Sequence, residues 1–265
     1  MLYVPAGEFM MGSTAADTEA FADEKPPHPV YLGAFWIDRT EVTNAMFARF
    51  VTETGHKTDA EKFGQAYVFN VASKGWEQTK GADWQHPRGP GSDIKGLEQH
   101  PVVHMSWDDA VAYCRWAGRR LPTEAEWEKA ARGTDGGKYP WGAQGVAGNL
   151  LNFADRNLDV SWADKSVDDG YQFTAPVGTY LAGASPYGAW DMAGNVWEWV
   201  ADRYNEKYYA NSPAENPQGP DSGDLRVLRG GSWRNYQRRV RAAVRDWYDP
   251  AGWLDFIGFR CARSP

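Results

Sequence analysis

The chain has 265 residues, 42% apolar and 24% charged, with a net charge of −7. Those values exclude global disorder and allow a real core. No apolar run approaches the ~20 residues of a membrane span, and two cysteines exclude a disulfide-dense scaffold and a four-thiolate zinc site.

The charge is unevenly placed: residues 225–265 hold nine Arg against three Asp, so a segment of net +6 sits on a body carrying −13. Pairing of that segment inside the protein is the first expectation, ahead of an anionic partner. Nothing resembles a nucleic-acid-binding motif, so no nucleic-acid partner is expected. The 14 Trp, 28 Gly and 16 Pro predict a turn-rich chain with aromatics filling space between short elements. Met1 leads straight into "LYVPAGEFMMGS", which reads as strand and turn with no visible signal peptide. The expectation is a cytoplasmic protein or a piece cut from a longer chain.

In chain order, "YVPAGEFMMGS" is strand-like up to Gly12-Ser13, and "HPVYLGAFWIDRTEVT" (28–43) reads as a strand pair. "TNAMFARFVTETG" predicts a helix capped by Thr43 or Asn44, with Phe47, Phe50 and Val51 as its apolar stripe and Gly55 as its stop. Residues 56–99 are polar, Gly-rich and punctuated by Trp, and read as a long irregular insertion. "HPVVHMSWDDAVAYCRWAGRRLPTEAEWEKAARG" carries two helices, each opened by a capping box: Ser106 with Asp109, and Thr123 with Glu126. Ala110, Val111, Cys114 and Ala117 fall on one face, so Cys114 points inward. His100 and His104 stand in an extended stretch, which separates their rings by about 13 Å and rules out one shared metal. From Tyr139 onward only short strands are expected: "TAPVGTY", "GAWDM", "VWEWVAD", "LRVLRGGSW" and "FIGFRCAR". The whole reads as one α+β domain, 1–265, with two main helices, short antiparallel strands and much irregular loop.

Taken together, "VPAGEFMMGS", "DEKPPHPVYLGAFWIDRTEVTNAMFARF", the two-helix segment, "YPWG", "TAPVGTY", "SPYGAWDMAGNVWEWVAD", "RVLRGGSW" and "IGFRCAR" resemble the formylglycine-generating enzyme (sulfatase-modifying factor) family, from residue 3 to 263. The resemblance implies a C-type-lectin-like fold. Active members carry a cysteine pair shortly after the "GGS" motif, which binds copper and oxidises a sulfatase cysteine with oxygen. Here Gly230-Gly231-Ser232 is followed by "WRNYQRRVRAAVR", without cysteine. Asn, Tyr, Gln and Arg cannot replace two thiolates on Cu(I), so copper and the family oxidation are not expected and no catalytic residue is assigned. By the same resemblance Cys114 and Cys261 fall where relatives have a structural bridge, giving a disulfide or two buried thiols. It also implies calcium at two places. One would use the Asn152 amide, the Phe153 and Tyr171 carbonyls and the Asp169 carboxylate. The other would use the Asp191 and Glu198 carboxylates and the Gly194 and Val196 carbonyls. The alternative is that Asp191 and Glu198 merely hold turn amides or arginines.

Residues 229–260 also resemble the C-terminal segment of variable proteins from diversity-generating retroelements, where fixed "RGGSW" and "IGFR" ends frame side chains that vary and bind a ligand. Large aromatics and Arg are the types enriched at binding hot spots. The expected contacts are Arg234, Asn235, Tyr236, Arg238, Arg239, Val244, Asp246, Trp247, Tyr248, Trp253, Leu254, Asp255 and Phe256, with Trp233, Arg241 and Arg245 as core or ion-pair framework. The leading expectation is a non-catalytic domain that binds a macromolecule, with a protein favoured. The alternatives are a family enzyme with altered oxidative chemistry, or a decayed accessory subunit. A concave pocket with convergent ionisable groups would favour an enzyme; a flat aromatic–Arg face would count against one.

Overall fold

A computed structural model describes residues 1–265. Helix α1 (Asn44–Thr54) begins where Thr43 accepts the Met46 amide and ends at Gly55, whose φ of 69° is left-handed; Phe47 and Phe50 are buried. A short α2 (Asp59–Phe63) follows, capped by Thr58 and Glu61. Helices α3 (Trp107–Trp116) and α4 (Glu124–Arg132) carry both expected capping boxes. The helical content is therefore three helices of 9–11 residues and one of 5, more than two main helices.

Every residue of α4 is buried, including Glu124, Glu128, Lys129 and Arg132. Buried charges require partners, and the basic C-terminal segment supplies them: Arg229 pairs with Glu128, and Arg245 with Glu124 at 2.7 Å. Arg241 pairs with Glu24 at 2.6 Å and Arg260 with Glu198 at 2.6 Å, and all four guanidinium groups are buried. Four of the nine arginines thus hold the segment to the acidic body.

The strands are β1 (Leu2–Val4), β2 (Gly7–Met11), β3 (His28–Leu32), β4 (Phe35–Ile37), β5 (Gln65–Asn70), β6 (Gly75–Lys80), β7 (Trp197–Arg203), β8 (Arg226–Arg229), β9 (Arg245–Tyr248), β10 (Ile257–Phe259) and β11 (Ala262–Arg263). One sheet runs β1-β4-β11 and a second β10-β7-β8-β9; β2-β3 and β5-β6 pair separately. All pairings are antiparallel except β10 with β7. Cys114 of α3 and Cys261, between β10 and β11, form a disulfide with Cα atoms 5.7 Å apart. The larger core packs around Trp197, Trp199 and Trp233. No helix is long and apolar enough to cross a membrane.

Three expectations change. The 56–99 segment is not wholly irregular, because it contains α2 and the β5–β6 hairpin. β6 is exposed or half-exposed along its length, so no alternating apolar pattern announces it. "TAPVGTY" and "GAWDM" form no strands; Pro176 and the left-handed Gly178 and Gly188 turn the chain there. The expected contact segment also contains a strand, β9, which pairs Val227 with Trp247 and Leu228 with Asp246.

Candidate ligand-binding cleft

The outer strand of the β10-β7-β8-β9 sheet carries the contact segment to a cleft of about 410 Å³. Trp197, Leu228, Asn235, Leu254, Phe256 and Ile257, all buried, supply its floor. Arg234, Arg239, Asp246, Trp247 and Tyr248 supply its walls, and Tyr67 and Trp76 of the β5–β6 hairpin complete it. A second hollow of about 430 Å³, reached by Tyr236, Tyr204 and Phe21, shares Arg239, Asp246 and Trp247 with the first. Trp247 and Tyr67 are the most open of these aromatics, each 46% exposed, followed by Tyr236 at 40%.

The structure redistributes the expected contacts. Arg234, Arg239, Asp246, Trp247 and Tyr248 open to the cleft, and Tyr236 to the adjoining hollow. Asn235, Leu254 and Phe256 reach it only as buried floor; Asn235 Oδ1 accepts from the Ser232 amide and hydroxyl and so fixes the turn after the Gly pair. Val244 and Asp255 are not cleft contacts. Val244 is wholly buried in the core, and Asp255 accepts the Phe69 amide and faces Arg88 at 3.4 Å. Arg238 donates to the Glu19 carbonyl over the Phe21 ring, and Trp253 donates to the Gln65 carbonyl beside Phe63. Trp233, Arg241 and Arg245 are buried framework, as expected.

Tyr67 and Trp76 have no place among the expected contacts, because they lie in the segment read as irregular. The signal was present in its Trp-punctuated composition. The hairpin is tied to the C-terminal segment by the Asp255 and Trp253 bonds and by a bridge between Tyr67 and Leu254. Trp76 packs against Phe256 with ring centroids 5.1 Å apart.

Arg234 has an unusual environment. Its guanidinium carbon lies 4.7 Å from the Trp76 centroid and 4.9 Å from that of Phe256. Its Nε is buried without a hydrogen-bond partner. Neither nearby carboxylate is bonded to it: Asp246 faces Arg239 at 3.5 Å, and Asp255 turns Oδ2 to the Phe69 amide and Arg88 and leaves Oδ1 buried without a hydrogen-bond partner. Burial lowers the Arg234 pKa, against the pull of Asp255. Burial also raises that of Asp246, against the pull of Arg239.

The residues do not fit copper held as the family enzymes hold it. The chain's only cysteines are bonded to each other, and no free thiol remains for a soft ligand set.

The first calcium position fits better. Asn152 Oδ1 is buried without a partner, and neither the Phe153 nor the Tyr171 carbonyl accepts a hydrogen bond. Asp169 accepts the amides of Phe153 and Tyr171, and burial raises its pKa to about 7. At the second position the Gly194 and Val196 carbonyls are equally free, and burial raises Asp191 to about 6. Glu198, however, is gripped by Arg260 through Nε and Nη2 and by the Trp127 indole. Glu41, unnoticed in the sequence, faces this group; its Oε2 is buried without a partner and its pKa is raised by burial and by Asp191. Asn195 joins the two positions, donating to Glu41 and accepting from Asn152.

A family model described as the sulfatase-modifying factor enzyme 1-like domain matches residues 1–265. The formylglycine-generating enzyme of Streptomyces coelicolor is 44% identical, across 98% of this chain and 88% of that protein. A Mus musculus protein named inactive C-alpha-formylglycine-generating enzyme 2 is 37% identical, across 100% and 85%. Among solved structures, PvdO from Pseudomonas aeruginosa has a TM-score of 0.79 at 26% identity, covering 99% of this chain and 93% of that one. Treponema denticola variable protein 1 has a TM-score of 0.71 at 23% identity, covering 100% and 95%, and shows a shared fold.

Proposed function

Starting from a chain that belongs to the sulfatase-modifying factor enzyme 1-like family, we propose that it is a non-catalytic recognition domain whose C-terminal cleft binds a segment of a protein partner. One observation carries this reading. The cleft that the "RGGSW…IGFR" segment builds is lined by aromatics, Arg and apolar floor, with no thiol in reach. The apolar floor gives a ligand area to bury, and the fixed framework arginines hold the walls in place before it arrives, which lowers the ordering cost. The relative named as inactive is a precedent for the fold under a name that denies the activity. Calcium, if held at the Asn152–Asp169 position, would brace the loops behind the segment by neutralising a buried acid.

The test is selection of a random-peptide display library on the wild-type protein. Peptides are expected to enrich and to lose binding to Trp247→Ala. No enrichment, or equal binding to the variant, would count against the reading.

The concavity of the site favours a second reading, a family enzyme with altered chemistry. The ionisable groups that converge are two Arg and one Asp already facing Arg239. Supplying Cu(I), oxygen and a cysteinyl peptide, then examining the peptide by mass spectrometry, separates the two. Turnover would favour the enzyme.

The residue types between the two fixed ends also support an origin as a retroelement variable protein. Burial of Val244, Leu254, Asp255 and Phe256 leaves the more open positions 234, 236, 238, 239, 246–248 and 251–253 for any such diversification. A near-identical template repeat, differing only at adenines, beside a reverse-transcriptase gene would establish it. Absence of the repeat from the complete locus would overturn it.

A further inference from the structure

We infer that the cleft selects an acidic peptide segment, with Arg234 anchoring a carboxylate that lies beside a large apolar side chain of the ligand. The inference rests on the reading that the cleft binds a protein segment, and adds which chemistry it prefers.

The rings of Trp76 and Phe256 hold the Arg234 guanidinium in place but offer it no acceptor oxygen. Arg has five N–H donors and no acceptor. Here the side chain makes no ion pair, and its buried Nε has no partner. Leaving guanidinium donors without an acceptor is costly, and a ligand oxygen at the cleft-facing side of the group would supply one. A carboxylate suits best, because it can meet the guanidinium fork with two parallel charge-assisted bonds.

The other polar lining favours the same sign. Arg239 and Asp246 face each other at 3.5 Å and offset one another. Of the charged side chains lining the cleft, Arg234 is the one without an ion pair, drawn toward Asp255 below it but not bonded to it, within a protein whose net charge is −7. A cationic ligand would meet like charge and leave Arg234 unpaired, a penalty that gives specificity as well as affinity.

The shape favours a peptide over a compact molecule. The apolar floor beside Arg234 takes a large side chain, and the cleft continues past Trp247 into the second hollow. In that hollow Arg245 is already committed to Glu124, while Asp23 and Glu206 line the wall. The carboxylate therefore belongs at Arg234, with the ligand chain running over Trp247.

The probe is a random-peptide display library, selected on wild-type protein and on Arg234→Gln, Arg234→Lys and Trp247→Ala, with melting curves to verify folding. Wild-type selections are expected to carry Asp or Glu beside Trp, Phe or Leu, and to bind Arg234→Gln about tenfold more weakly or worse. Arg234→Lys keeps the charge without the fork, so it should retain the acidic preference with a smaller loss. Neutral or basic selections that bind Arg234→Gln unchanged yet lose binding to Trp247→Ala would overturn this inference and leave the cleft reading standing. No selection at all, or selections indifferent to Trp247→Ala, would overturn both.

Discussion

The Arg234 guanidinium rests 4.7 Å from the centre of the Trp76 ring, joining the C-terminal segment to a hairpin from the first third of the chain. The pair makes the hairpin part of the cleft. Trp76→Ala should therefore weaken the binding of selected peptides by about 1–2 kcal/mol, roughly tenfold, while the melting temperature changes little. Titration calorimetry on the two proteins measures this; undiminished affinity would remove the hairpin from the site.

The Cys114–Cys261 bridge closes a separation of 147 residues. Cross-linking so long a loop restricts the unfolded chain, so the double Cys114→Ala, Cys261→Ala variant should lose about 2–5 kcal/mol of stability. Urea denaturation reads the loss. Reductant should lower the wild type toward the variant and leave the variant unmoved.

Asn152 has an orphaned amide oxygen, the Phe153 and Tyr171 carbonyls accept no hydrogen bond, and the amides of the same two residues hold the Asp169 carboxylate. Calcium should raise the melting temperature and chelator should lower it, with a stabilisation of about 2.7 kcal/mol at a hundredfold excess over the dissociation constant. Asp169→Ala should abolish the response. A melting temperature indifferent to calcium would leave these atoms without that role.

Asp202 is buried and accepts the Glu124 amide at the start of α4, and burial and the Glu124 carboxylate raise its pKa from 3.8 to about 8. The folded protein thus holds a proton that the unfolded chain releases. The stability from this group is full below about pH 4 and lost as pH rises toward 8. In calcium-free buffer, Asp202→Asn should gain stability relative to wild type between about pH 5 and 8. A constant difference across that range would show that Asp202 does not titrate there.

Much of the scaffold is legible because its signals are local. Thr43, Ser106 and Thr123 cap their helices through bonds to residues three positions on, and Gly55 stops α1 by its own backbone freedom. Framework arginines were legible because a basic segment on an acidic body must pair, although the partners Glu24 and Glu124 could not be named. What failed depends on distant contacts. Asp255 looks like a surface acid until the Phe69 amide and Arg88 are brought to it. Val244 looks like a varied position until the core closes over it. β6 buries neither face, so only its pairing with β5 makes it a strand.

The C-terminal segment and the β5–β6 hairpin together form the proposed recognition cleft. Hydrogen–deuterium exchange of the wild-type protein, with and without a peptide selected from the display library, shows whether both respond to one ligand. Slowed exchange is predicted in both 234–248 and 65–80, with the rest of the chain unchanged. Slowed exchange confined to other parts of the chain would contradict it.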